Sequence, residues 1–440
     1  MQLSLPNNAR VWRRIGERGE SMGFDALVIG LGYVGLPLVR EAVFSGLQVV
    51  GYDLDVDLVQ QLNLGCSHVG DVPDSDIAEM LARGFRATAI ESDIGSPDIV
   101  VICVPTPLAA GGAPDLTAVC SAAKTVGRLL RPGMVVILES TTYPGTTDEV
   151  VRPLLEDASG LVAGTDFSLA FSPERIDPGN HQFGVRNTPK VVGGLTPACT
   201  DAAVGFYGKV CDVVVRAKSS REAEMAKLLE NTYRYVNIAL VNEMAIFSHE
   251  LGVDLWDAIQ CAATKPFGFH AFSPGPGVGG HCIPIDPNYL SYKVRTLGYP
   301  FRLVELSQEI NARMPRYVVD RAAEVLNDQA KPLNGAHVLL LGVTYKSDVA
   351  DQRESPVFQI GRRLRAHGAD LAYHDPYVAE WSVDGQAVRR ADDLDSEVAA
   401  ADLVILLQDH SAYDLDKIAR DAPLLLDTRG RVAGPGVSVL

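Results

Sequence analysis

The chain has 440 residues, 47% hydrophobic and 21% charged, enough for two or three independently packed domains. Its formal net charge of −16 offers no general positive face to nucleic acid or to an anionic membrane, although a few local cations suffice for a small anion. Seven scattered cysteines with no C-x-x-C pair argue against a disulfide framework or a zinc site, so no metal and a reducing cytoplasm are expected.

Residues 1–23 carry Arg10, Arg13, Arg14 and Arg18 but no apolar signal core, and are set apart as an N-terminal extension. The longest mostly apolar run, Ala26 to Val39, holds three glycines and is shorter than the ~18 residues of a membrane span, which predicts a soluble protein. From Asp25 to about Phe171 short apolar runs alternate with helical spacing. Strands are predicted at Ala26–Gly30, Gln48–Asp53, Asp98–Val104, Met134–Glu139 and Ser168–Phe171. Helices are predicted at Val34–Phe44, Leu58–Leu64, Leu116–Leu130 and Thr146–Glu156. Such alternation implies a parallel sheet covered on both faces, in a first domain over residues 24–215.

The rhythm then changes. Ser219 to Leu251 contains neither glycine nor proline, with apolar side chains at Met225, Leu228, Leu229, Val236, Leu240, Met244 and Phe247. This predicts one helix about 50 Å long, within a central helical region at 216–330. A Gly/Pro-rich loop, Phe272–Pro287, precedes a further helical stretch, Pro300–Asn327. Alternation restarts in a third region, 331–440, with strands at His337–Gly342, Asp370–His374, Leu403–Gln408 and Leu424–Asp427 and a helix at Pro356–His367. The expected fold class is α/β, two doubly wound Rossmann-like domains joined by a long central helix.

Gly30-Leu-Gly32-Tyr33-Val34-Gly35 follows a strand and opens a helix, and the next strand ends in Asp53. That pattern places a pyrophosphate on a helix N-terminus and an acidic residue on the adenosine ribose, so NAD is the expected cofactor. Gly275-Pro-Gly277-Val-Gly279-Gly280-His281-Cys282 sets one cysteine after a flexible loop, with Asp286 four residues on. Spacing alone leaves Cys282 open between a nucleophile and a core thiol; the other six cysteines read as inert core. Lys227 and Asn231 share a helix face, which unaided reads as a solvated stripe with Glu224 and Glu230. Glu174-Arg175 reads equally as carboxylate and anion clamp or as a loop pair. Lys346, Arg353 and Arg429 fall at or past strand ends of the third region, where open sheets bind ligands.

Taken together, these residues resemble the UDP-sugar 6-dehydrogenase family from about Ala26 to Val432. The shared motifs run in order: Gly30–Gly35, Val104-Pro-Thr106-Pro107, Glu139-Ser-Thr141-Thr142, Ser172-Pro-Glu174-Arg175, Lys227-x-x-x-Asn231, Gly279-Gly-His-Cys-Ile-Pro-Ile-Asp286, Tyr345-Lys346-Ser-Asp348 and Arg353-Glu-Ser-Pro356. The branch it is most similar to is the bacterial UDP-N-acetylhexosamine 6-dehydrogenases. His281 and Ile285 stand where UDP-glucose dehydrogenases carry Ser and Lys, and an arginine follows Glu174.

The resemblance implies a cysteine nucleophile at Cys282, with Lys227, Asn231 and Asp286 around the reacting C6 and Glu174 with Thr141 managing water and protons. It implies that Gly30, Gly32, Tyr33, Val34, Gly35, Asp53, Thr106, Thr141 and Arg353 serve NAD. Glu174, Arg175, Lys227, Asn231, Gly279, His281, Lys346 and Arg429 would serve a UDP-sugar, and the long helix would build a homodimer. Whether Glu174 or Asp286 activates water stays open. A UDP-glucose 6-dehydrogenase, a two-electron hydroxyacid dehydrogenase and a catalytically silent nucleotide-sugar sensor are the competing readings.

Overall fold

A computed structural model describes residues 24–109, 112–177, 179–180, 182–280 and 283–440; the extension at 1–23 lies outside them, as do His281 and Cys282. The chain divides into two compact units, residues 24–230 with 288–297, and residues 231–287 with 298–440.

The first unit is an eight-stranded sheet. In chain order it runs β1 (Ala26–Ile29), α1 (Gly35–Phe44), β2 (Val49–Tyr52), α2 (Val56–Asn63), α3 (Asp74–Ala82), β3 (Arg86–Thr88), β4 (Ile99–Ile102), α4 (Thr117–Leu129) and β5 (Val135–Leu138). A π-helical turn (Thr147–Val151) leads into α5 (Arg152–Ser159), then β6 (Ser168–Phe171), β7 (Lys190–Gly194), α6 (Pro197–Val210) and β8 (Val214–Arg216). The strand order is β3-β2-β1-β4-β5-β6-β7-β8, parallel except where β7 meets β6. β1, β2, β4 and β5 are buried along their whole length. That explains why they read as continuous Val/Ile/Leu runs: a parallel sheet is covered on both faces. Separate apolar clusters fill the two sides, one around Leu36, Val39 and Phe206, the other around Val119, Val126 and Leu155.

α7 (Ser220–Glu250) follows as one helix of 31 residues, and then α8 (Leu255–Ala263), α9 (Asp286–Thr296) and α10 (Arg302–Asn327). The second unit contains β9 (His337–Leu341), α11 (Val357–Ala366) and β10 (Asp370–His374). A hairpin, β11 (Ser382–Val383) and β12 (Gln386–Ala387), is followed by β13 (Arg389–Arg390), α12 (Leu394–Ala400), β14 (Leu403–Leu406), α13 (Leu415–Asp421), β15 (Leu425–Asp427) and β16 (Val437–Val439). Its six-stranded parallel sheet has the order β13-β10-β9-β14-β15-β16.

Several expectations need correction. The loop predicted to reach Pro287 ends where α9 begins, at Asp286, because an aspartate can cap and charge a helix start. α8 and the β7–α6–β8 segment were not predicted; β7 is Lys-Val-Val-Gly-Gly, whose lysine and glycines break the apolar signal. On α7, Leu228 is buried, whereas Met225, Leu229, Leu240 and Phe247 are exposed. Cys103, Cys199 and Cys211 are core thiols, but Cys66 and Cys261 are exposed. Among the described residues no helix is long and apolar enough to cross a membrane, and no group of metal-ligating side chains occurs.

Candidate active site

In the first unit, the turn Gly30–Gly35 joins β1 to α1. A Cβ on Gly35 would lie 1.8 Å from the Gly30 carbonyl oxygen, so only glycine lets the turn close this tightly. α1 starts without a side-chain cap and without an acidic residue in its first turn, leaving a positive helix end for an anion. Tyr33 is exposed while Gly32 and Val34 are half-buried. Asp53, just past β2, accepts from the Leu31 N–H at 2.8 Å and the Asp55 N–H at 3.0 Å. Its carboxylate is thereby fixed beside the turn, and the residues present fit a dinucleotide. The Thr106 hydroxyl donates to the Thr141 carbonyl at 2.8 Å, tying the two threonine motifs together.

Glu174 follows β6 and is buried, as is Lys227 on α7. The Lys227 ammonium donates to the Glu174 carbonyl at 2.8 Å and lies 3.3 Å from Oε2. Oε1 is buried and has no hydrogen-bond partner among the described residues. Burial pushes the Glu174 carboxyl above its ordinary value, against the pull of the Lys227 charge. Arg175 donates to the Pro189 carbonyl at 2.9 Å and pairs with Glu230. The solvated stripe is therefore corrected: Glu230 is exposed, but Glu224 and Lys227 are buried. Glu224 accepts from the N–H groups of Gly145 (2.6 Å) and Thr147 (2.9 Å) and from the Thr147 hydroxyl (2.6 Å).

In the second unit, Asn231, one turn beyond Lys227 on α7, donates its amide to Asp286. The glycine-rich loop runs over the turns after β9: a Cβ on Gly279 would sit 2.7 Å from Cβ of Tyr345 and 2.9 Å from the Glu354 carbonyl. The Gly280 N–H donates to the Arg353 carbonyl at 3.0 Å. The Arg353 guanidinium engages Asp351 at 2.5 Å. Two of the four described non-glycine residues with positive φ, Asp348 (60°) and Glu354 (51°), flank Lys346 and Arg353, a conformation held by surrounding structure and common at ligand sites. Arg429, after β15, donates from Nε to the Leu407 carbonyl at 2.7 Å and from a terminal nitrogen to the Gln408 side-chain oxygen.

Sequence reasoning missed the pair that anchors this loop. Asn242, fully buried on α7, accepts from the Gly275 N–H at 2.9 Å and donates to Asn311 at 2.9 Å. The available signal was an asparagine at a core-facing position of a helix, which demands partners. It also missed Glu139, which accepts from Lys190 and, at 2.9 Å, from Tyr207.

A doubly wound sheet with a glycine turn and an aspartate fixed beside it is the framework of a dinucleotide-binding domain. Models of the UDP-glucose/GDP-mannose dehydrogenase family match in three blocks: the NAD binding domain over residues 25–211, the central domain over 221–313 and the UDP binding domain over 339–433. The chain belongs to that family and is a UDP-sugar dehydrogenase. It is 37% identical to the UDP-N-acetyl-D-glucosamine 6-dehydrogenase of Pseudomonas aeruginosa, over 80% of this chain and 82% of that one. It is 34% identical to the UDP-N-acetyl-D-mannosamine dehydrogenase of Pyrococcus horikoshii, over 88% and 89%. A solved structure of UDP-D-ManNAc dehydrogenase from Pyrococcus horikoshii superposes with a TM-score of 0.85 at 32% identity, covering 95% of this chain and 99% of that one.

Proposed function

We propose that this chain oxidises the C6 hydroxyl of a UDP-N-acetylhexosamine, UDP-N-acetylglucosamine first, to the carboxylate through a covalent cysteine adduct. The observation that carries the reading is the buried Glu174–Lys227 pair, with one carboxyl oxygen that has no partner among the described residues: a cation for a developing oxyanion beside a carboxyl that burial drives toward its neutral form. NAD+, when bound, accepts the hydride of both oxidations. Lys227 and Asn231, a turn apart, hold the C6 oxygen as negative charge develops on it. The Cys282 thiolate adds to the C6 aldehyde, and the thioester that results from oxidation is hydrolysed. Glu174 handles the proton of the attacking water, since Asp286 is engaged by Asn231.

The Gly30–Gly35 turn, Asp53, Thr106, Thr141 and Arg353 serve the cofactor in this reading, while Lys346 and Arg429 hold the UDP diphosphate. His281, Ile285 and Arg175 would face the 2-acetamido group, whose polar atoms need partners and whose methyl needs an apolar wall. Met225, Leu229, Tyr233, Leu240 and Phe247 are exposed at helical spacing on α7, a face suited to a second copy of the chain. The enzyme would act in the cytoplasm.

An NADH-production assay over UDP-glucose, UDP-GlcNAc, UDP-GalNAc and UDP-ManNAc tests the reading. Two NADH per acid are expected, with kcat/KM for UDP-GlcNAc about a hundredfold above that for UDP-glucose, ~2.7 kcal/mol in transition-state binding. Cys282→Ser should abolish acid formation. UDP-glucose proving the better substrate would overturn the sugar assignment; an unimpaired Cys282→Ser enzyme would overturn the covalent route.

A further inference from the structure

Arg429 is half-buried, and burial pulls its pKa down against the opposing pull of Asp409 and Asp427; among the described residues the hydrogen bonds of its guanidinium go to neutral acceptors, the Leu407 carbonyl and the Gln408 side chain. Gln408 is itself 4% exposed. Its oxygen accepts from Arg429, and its nitrogen donates to the Ser347 hydroxyl at 2.7 Å. Those partners fix the amide in one orientation. The Ser347 hydroxyl donates to Asp409 at 3.2 Å, and Asp409 also accepts from Arg431 at 2.5 Å. One glutamine thus joins the turn that carries Lys346 to the turn that carries Arg429.

The next residue but one clamps the same turn. The Asp348 N–H donates to Nδ1 of His410 at 3.0 Å, so the ring proton sits on Nε2, 3.1 Å from Asp375. Asp375 also accepts from the Val343 N–H at 2.7 Å. Both ends of the segment 343–348 are therefore held by side chains that burial hides from any ligand, His410 being 1% and Asp375 0% exposed.

We propose that Gln408 is a positioning and specificity residue for the diphosphate: it sets Arg429 and the Lys346 turn in one frame while meeting the guanidinium with a neutral oxygen rather than a hydrogen-bonded counter-ion. This rests on the reading that Lys346 and Arg429 hold UDP. A glutamate of the same shape would give Arg429 a permanent counter-ion, withdraw the donor from Ser347 and set a negative charge beside the phosphates.

The experiment is calorimetric titration of UDP into the full-length enzyme as wild type, Arg429→Ala, Gln408→Glu and Gln408→Leu, with NAD+ affinity and melting temperature measured on each. Gln408→Glu is expected to weaken UDP binding at least tenfold without lowering the melting temperature, and Gln408→Leu about tenfold, both with NAD+ affinity within twofold of wild type. Weaker UDP binding matched by an equal loss of NAD+ affinity would indicate general damage and overturn the proposal. Should Gln408→Glu fail to fold, Gln408→Leu decides alone, and UDP affinity within twofold of wild type in it overturns the proposal. If Arg429→Ala weakens UDP while both Gln408 variants bind it normally, the positioning role falls and the diphosphate reading stands. If Arg429→Ala itself binds UDP like wild type, the diphosphate reading falls and takes the inference with it.

Discussion

Raising the pH from 5 to 8 should weaken the first unit through a buried carboxyl that one substitution isolates, that of Glu224. This side chain is fully buried, and burial, outweighing the three hydrogen bonds it accepts from Gly145 and Thr147, lifts its pKa from 4.5 to about 7. Between those values the folded state keeps a proton that the unfolded chain has released, so stability falls as pH rises through that window and the loss is complete above about 7. At 1.36 kcal/mol per unit the full difference is about 3 kcal/mol, of which about 2.5 kcal/mol lies between pH 5 and 8. Glu224→Gln cannot titrate. Scanning calorimetry of wild type and variant should show the wild type most favoured at pH 5 and losing that advantage by pH 8, a relative shift of roughly 5–10 °C for a unit of this size. A difference between the two proteins that stays constant within a degree over this range would refute the reasoning.

Two other perturbations address the site directly. Asp53 is fixed beside the glycine turn, where a 2′-phosphate would meet its charge at a cost on the order of 1–4 kcal/mol; NAD+ should be preferred by one to three decades in kcat/KM, and parity with NADP+ would remove Asp53 from the ribose site. Lys227→Met preserves the side-chain length but strips Glu174 of its ion pair, so kcat should fall about 10²–10³-fold with the NAD+ KM little changed, and stability should drop by about 3–5 kcal/mol; near wild-type kcat would exclude Lys227 from the chemistry.

The parallel strands were legible because burial on both faces leaves an uninterrupted apolar run, as in Ile99–Ile102, and the dinucleotide turn because its glycines are demanded by backbone closure rather than by taste of composition. What was not legible depended on side chains meeting across long sequence separations. Nothing local distinguishes Glu224, a cap for a turn 77 residues earlier, from Glu230, a surface partner of Arg175; both are acidic residues on one helix. Glu139 and Lys190 likewise look like ordinary strand-end charges until β5 and β7 bring them together. The exposed apolar residues of α7 carried the opposite difficulty: their spacing is that of a core face, and periodicity cannot say whether the cover comes from the same chain.

Three cations, Lys190 and Lys227 buried and Arg429 half-buried, sort by what faces them. Lys190 is paired with Glu139, and both are at least nine-tenths buried; the second oxygen of that carboxylate is taken by Tyr207, so the charge is balanced and every partner is spoken for, as a structural ion pair requires. Lys227 meets a carboxyl whose other oxygen has no partner among the described residues and which burial drives toward neutrality, an arrangement that sets a cation beside a proton. Among the described residues the Arg429 guanidinium donates to a carbonyl and an amide, which satisfy donors without adding a hydrogen-bonded counter-ion. In a chain of net charge −16, a diphosphate is repelled by the molecule at large, and only cations kept out of ion pairs can offset that field. On the proposed reading Lys190 would hold the fold, Lys227 would serve the reacting carbon and Arg429 would meet an anion, and one atom's change at position 408, amide nitrogen to oxygen, would move Arg429 from the last group to the first.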